Sequence, residues 1–286
     1  MKTTFRAAAP AALAMLLATP AGAADLFGEP AYHEAGASAI SGRLELRGAY
    51  EQTETLDVDG PDAMAGRLSG TFNLRLGSQA NVQLDAYGLS RSREGYDQDG
   101  YGGTLHVYAR PEGGAFAGGT FASLESLRFD SEDTVNGGTI ETDVASYLGG
   151  VEMAYLGQAY TVLARLGYGE GTRETAGLEL SYDRYLAELG LRYYVTPNVR
   201  LDLGGNLQRR ETVGASLNSY GVEGVANWRP GGGGYSIYGG VSRDRFDETD
   251  TTLVGVFGGA RFHFGTGSLQ DEDRSGALWS PVASLE

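Results

Sequence analysis

The chain has 286 residues, with 22 basic and 37 acidic side chains and a formal net charge of −15. That balance excludes a nucleic-acid binder, which needs a positive surface. The lack of cysteine excludes disulfides and thiolate metal sites, while 45 glycines and 17 tyrosines against 8 prolines suit many strands joined by tight turns.

Lys2 and Arg6 flank the start of an apolar run over 7–18, and the small-x-small triplet Ala21-Gly22-Ala23 follows. This order predicts a secretory signal over 1–23, cut after Ala23. The run is too short for an inner-membrane helix, which needs about 20 apolar residues. Residues 24–39 then form a short periplasmic N-terminal segment. No lysine follows Lys2, so every later basic side chain is arginine.

From 40 to 264 the chain alternates with period two, residue by residue. Leu44, Leu46, Gly48 and Tyr50 fall on one face, and Arg43, Glu45, Arg47 and Glu51 on the other. The same alternation returns over 67–76, where Leu68, Phe72, Leu74 and Leu76 oppose Arg67, Thr71, Asn73 and Arg75. It recurs over 81–86, 103–110, 199–208, 220–228 and 254–264. Further strands are expected at about 115–127, 144–155, 159–169, 182–195 and 235–244, the facing of 115–123 being ambiguous. The total is 12, with 10 or 14 open. The joints alternate too. Short ones at 77–80, 111–114, 156–158, 196–198 and 230–234 contain turn formers. Long acidic ones lie near 54–65, 90–99, 128–143, 170–181, 209–218 and 244–251.

Aromatics on the apolar face sort to two levels. Tyr155, Tyr160, Tyr193, Trp228, Tyr235 and Phe264 fall at the short-turn ends, and Tyr50, Tyr101, Tyr147, Tyr168, Tyr185 and Tyr220 at the long-loop ends. Two such girdles mark the two interfaces of a membrane. A secreted sandwich has no use for them. The fold class is therefore all-β: a transmembrane antiparallel up-and-down barrel, the one strand architecture that satisfies every backbone group in lipid. Its location is the bacterial outer membrane, with short turns in the periplasm and long loops outside.

The hexapeptide Gly259-Ala260-Arg261-Phe262-His263-Phe264 ends the last alternating segment with aromatics two apart. It resembles the C-terminal assembly signal of porin-like bacterial outer-membrane barrels. The resemblance covers the signal, the hairpin rhythm and this last strand. It implies recognition by the barrel assembly machinery through that strand. Such barrels often end at the aromatic, whereas this chain runs on to Glu286. Residues 265–286, with Asp271-Glu272-Asp273-Arg274, read as a polar periplasmic tail. Folding into the lumen and contact with peptidoglycan stay open.

Inward parity selects Arg43, Glu45, Arg47, Arg67, Arg75, Asp85, Arg110, Glu152, Arg165, Glu188, Arg192, Arg200, Asp202, Glu223 and Arg261 as the pore-lining set. A wall of this kind is an electrostatic filter. The function expected is passive diffusion of small hydrophilic solutes, a small anionic or sugar-acid solute among them. The alternative is a plugged structural or surface-interaction barrel. Its acidic loops would bind an outside partner or bridge lipopolysaccharide through divalent ions. Outer-membrane lipid and lipopolysaccharide are partners either way. Barrel hydrolases need a histidine base. His33 precedes the first strand, and His106 and His263 lie inward on different strands. No catalytic residue, metal site or cofactor is expected. An autotransporter translocator is disfavoured because about sixteen residues separate the signal from the first strand.

Overall fold

The computed structural model describes residues 38–282, apart from 56, 57, 134–137 and 248. The expected signal over 1–23 and nearly all of 24–39 lie outside the described residues. The strands are β1 (Ile40–Thr55), β2 (Val58–Asp59), β3 (Ala63–Leu76), β4 (Ala80–Arg93), β5 (Tyr96–Ala109), β6 (Phe116–Asp133), β7 (Gly138–Leu156), β8 (Tyr160–Thr175), β9 (Leu178–Thr196), β10 (Val199–Thr212), β11 (Ala215–Trp228), β12 (Tyr235–Phe246) and β13 (Thr251–Phe264). Each long strand pairs antiparallel with the next. β13 pairs back onto β1 from Gly42↔Phe264 to Thr55↔Thr251, closing a barrel of 12 staves. β2 is a two-residue addition to the end of β1. Closure leaves none of the 12 staves as an edge, which is what lipid demands.

The period-two pattern sets the faces. Outward side chains are exposed along every stave, as with Leu46, Val151, Leu203 and Val256. The girdle residues Tyr50, Tyr101, Tyr147, Tyr155, Tyr160, Tyr168, Tyr185, Tyr193, Tyr220, Trp228 and Tyr235 are all exposed on this wall, and Phe264 is half-buried on it. Neighbouring tyrosines meet at each level, with ring centres 5.7 Å apart for Tyr155–Tyr160 and 5.2 Å for Tyr168–Tyr185. The ambiguous strand β6 faces Ala117, Phe121, Ser123, Glu125 and Leu127 inward, all buried.

The structure corrects the long loops. Much of 90–99, 170–181 and 209–218 is strand, because polar residues there keep pairing above the lipid. The turns shrink to two residues at 94–95, 176–177 and 213–214. Ala176 and Gly177 both take positive φ, 51° and 81°, the backbone of a primed two-residue hairpin that matches strand twist. Gly259 has a packing reason. A Cβ there would strike the Leu46 carbonyl and the Tyr238 hydroxyl, so the ring of Tyr238 can lie over the last strand only across a glycine.

The lumen is less polar than inward parity suggested. Tyr87, Leu89, Leu127, Val144 and Tyr182 form a buried apolar cluster with Phe129 against it. Phe121, Leu148 and Leu186 form another around Val282. One side of the bore is thus filled by side chains, as a barrel of intermediate size permits.

A lumen cavity closed by the C-terminal segment

After β13 the chain turns at Gly265, whose φ is 78°. It forms α1 (Leu269–Ser275), capped where the Asp271 amide donates to Ser268 Oγ at 3.0 Å, with Asp271 and Glu272 in its first turn. Residues 276–282 continue without regular structure inside the barrel. Leu269, Ala277, Leu278, Trp279 and Val282 are buried. The tail expected as a polar periplasmic extension therefore lies in the lumen. Its apolar positions pack on the wall: Leu278 and Trp279 join Tyr108, Ala117, Ala154 and Leu156. Hydrophobic burial and the arginine wall together draw it in, which its overall polarity concealed.

An extended segment with no strand partner must find other donors for its carbonyls. The arginines of the wall supply them. Arg43 donates to the Trp279 carbonyl at 3.0 Å. Arg110 donates to the carbonyls of Asp273 and Gly276, both at 3.0 Å. Arg192 donates to the Leu278 carbonyl and Arg165 to that of Ser280, each at 2.9 Å. Gln83 Nε2 donates to the Trp279 carbonyl at 2.9 Å, and Gln83 Oε1 accepts from the Trp279 amide at 3.2 Å. The acids of α1 take the remaining charge. Glu272 pairs with Arg43 at 2.5 Å. Asp273 pairs with Arg192 at 2.5 Å and Arg200 at 3.6 Å, and accepts from the Tyr194 hydroxyl. Glu272 lies in α1, outside the membrane-spanning strands. Burial pushes its carboxyl up, but the charge of Arg43, with His263 and Arg200 behind it, holds it well below the usual carboxylate range.

Both inward histidines serve this closure. His106 sits between Asp85 at 2.8 Å and Glu152 at 2.9 Å. Its ring stacks on Trp279 with centroids 6.4 Å apart and planes 9° apart. His263 Nε2 lies 2.7 Å from Ser236 Oγ, and Nδ1 lies 3.1 Å from Glu272. Hydroxyl, imidazole and carboxylate thus stand in the order of a hydrolytic triad. Yet Ser236 is fully buried, and Glu272 is already held by Arg43. The arrangement ties α1 to β12 and β13.

Above the tail lies a cavity of about 370 Å³, with Trp279, Ser280 and Pro281 contributing to its lining. A second, of about 150 Å³, shares Glu51, Arg91, Phe246 and Leu253 with it and reaches residues at the long-loop ends of the staves, Arg93 and Tyr96 among them. The sequence-predicted inward residues divide by what they meet. Glu45, Arg47, Arg67, Glu188, Asp202, Glu223 and Arg261 line the large cavity. Arg43, Arg165, Arg192 and Arg200 line it and also face the tail, while Arg110 touches the tail alone. Asp85 and Glu152 hold His106, and Arg75 stays at the short-turn rim, 3.4 Å from Glu112. Sequence reasoning missed Trp279, Leu278 and the apolar clusters. The signal was present as Leu269, Leu278, Trp279 and Val282 within a segment read as polar.

No protein-family model matches the chain, and no curated protein matches it by sequence. Solved structures match its fold. The translocator domain of the autotransporter NalP from Neisseria meningitidis gives a TM-score of 0.51 at 12% identity, over 89% of this chain and 97% of that one. An outer-membrane channel from Pseudomonas putida F1 gives 0.53 at 13% identity, over 83% and 99%. A channel and a translocator share this architecture, so the likeness speaks to the fold. With its apolar outer wall and aromatic girdles, that fold places the chain in the bacterial outer membrane.

Proposed function

We propose that the chain is an outer-membrane channel for small hydrophilic solutes, shut on the periplasmic side by its own C-terminal segment. One observation carries this reading. Arg43, Arg165, Arg192 and Arg200 line the cavity and also hold the tail. Withdrawal of the tail therefore frees these four arginines toward the cavity, beside the apolar patches that Leu278, Trp279 and Val282 cover. The buried indole Nε1 of Trp279 has no partner among the described residues, a cost of about 1–3 kcal/mol to the closed state that favours an exchangeable plug. The test is planar-bilayer recording of the refolded barrel against a variant lacking 267–286. Stable steps that appear or grow on deletion support the channel. Silence from a correctly folded deletion variant sinks it.

The apolar cluster around Tyr87 and Leu127 supports a second reading, a permanently filled structural barrel. Its acidic loops would then serve surface interactions, including divalent bridging to lipopolysaccharide. In either case the chain works without chemistry of its own, and Gly259 to Phe264 is the segment offered to the assembly machinery.

A further inference from the structure

We propose that the cavity holds a binding site for a small hydroxylated monocarboxylate, centred on Arg47 and Arg67. This deepens the channel reading by naming its solute class. Arg47 and Arg67 are direct cross-strand partners on β1 and β3, both directed into the lumen. Like charges at directly opposite positions destabilise a sheet unless something offsets them. Each guanidinium lies against a ring, Arg47 at 3.6 Å from the Phe257 centroid and Arg67 at 4.2 Å from that of Tyr87. These rings fix the two side chains without neutralising them.

The other cavity arginines are neutralised. Arg91 meets Glu51 at 2.7 Å, Arg261 meets Glu45 at 2.5 Å, Arg165 meets Glu188 at 2.6 Å and Arg200 meets Asp202 at 2.7 Å. Arg43 and Arg192 meet the acids of the tail. At the Arg47–Arg67 level the sole ion pair among the described residues is Arg47 with Glu223, at 3.9 Å. Asp244 sits toward the long-loop end, opposite Gly221 and Leu253. Arg47 and Arg67 against Glu223 leave one positive charge among these three groups, which suits a monoanion over a dianion. A carboxylate matches the guanidinium fork. Ser69, Ser242, Asn206 and the Glu223 carboxylate line the same space and suit hydroxyl groups.

The test is saturation-transfer NMR on the refolded full barrel in detergent micelles, with gluconate as probe and glucose and malonate as comparisons. Gluconate should show transfer and glucose none. Arg47→Gln and Arg67→Gln should each weaken gluconate about tenfold or more, since each removes a charged hydrogen bond. Glu223→Gln should admit malonate by removing the one acid at this level. Folding of each variant is read from its migration on an unheated gel, and either arginine variant suffices if the other fails to fold. Equal transfer from glucose, no transfer from gluconate, or gluconate binding indifferent to the folded arginine variants overturns the site. Binding needs no opening of the tail. A folded tail-deletion variant that stays silent, beside a full barrel that binds gluconate, therefore removes the channel alone, and a deletion variant that conducts, beside a full barrel that ignores gluconate, removes the site alone.

Discussion

Asp273→Asn is the sharpest perturbation of the closed lumen. Asp273 is fully buried and is the acid shared by Arg192 at 2.5 Å and Arg200 at 3.6 Å. The amide keeps the volume and still accepts from Tyr194, but it leaves Arg192 without its acid while Arg200 retains Asp202 at 2.7 Å. Removing one partner of a buried ion pair costs about 3–5 kcal/mol. That shifts the closed-to-open ratio roughly a hundred- to a few-thousand-fold toward open. The barrel itself should survive, because its ladder from β1 to β13 does not involve the tail. The assay pairs single-channel open probability with fluorescence of Trp279 in a Trp228→Phe background, the chain having 2 tryptophans. Open probability should rise, and Trp279 should shift to the red and become quenchable by acrylamide. A folded variant with unchanged conductance and a still-protected Trp279 would refute the clasp.

Leu203 lies on the lipid wall at 61% exposure, so Leu203→Arg should lose about 2–4 kcal/mol of folding free energy if it sits near the midplane. Reversible unfolding in liposomes measures this, and a neutral result would overturn the register. Acid should release the tail. Glu272 is held well below 4.5 when docked. Its contribution to docking is therefore complete above about pH 4.5, falls as pH drops below that, and is gone once pH passes below the docked value. Open probability recorded from pH 7 down to pH 3 should rise only in the acid range. A rise confined to neutral pH would point to His106 or His263 instead.

The barrel was legible because its signal is local and repeated. Period two fixes which side chain meets lipid, and 12 repetitions average out the weakness of any one strand. The girdle and the inward arginines follow from the same parity, so Arg200 and Tyr147 could be assigned with no knowledge of contacts. Loop lengths were misread because polar alternation above the membrane resembles a loop in composition yet still pairs as strand, as over β8 and β9 down to Ala176-Gly177.

The amino-acid sequence by itself determined the alternating strands, the facing of most of them, a count of about 12 and the membrane they cross, because these depend on neighbours one or two residues apart. Only the tertiary structure decided what occupies the bore. Arg43 meets Glu272 and Gln83 meets Trp279 across separations of 229 and 196 residues. No local period encodes such contacts. They exist because closing the barrel brings an arginine-rich inner wall around a segment that has acids, apolar side chains and unpaired carbonyls to offer it.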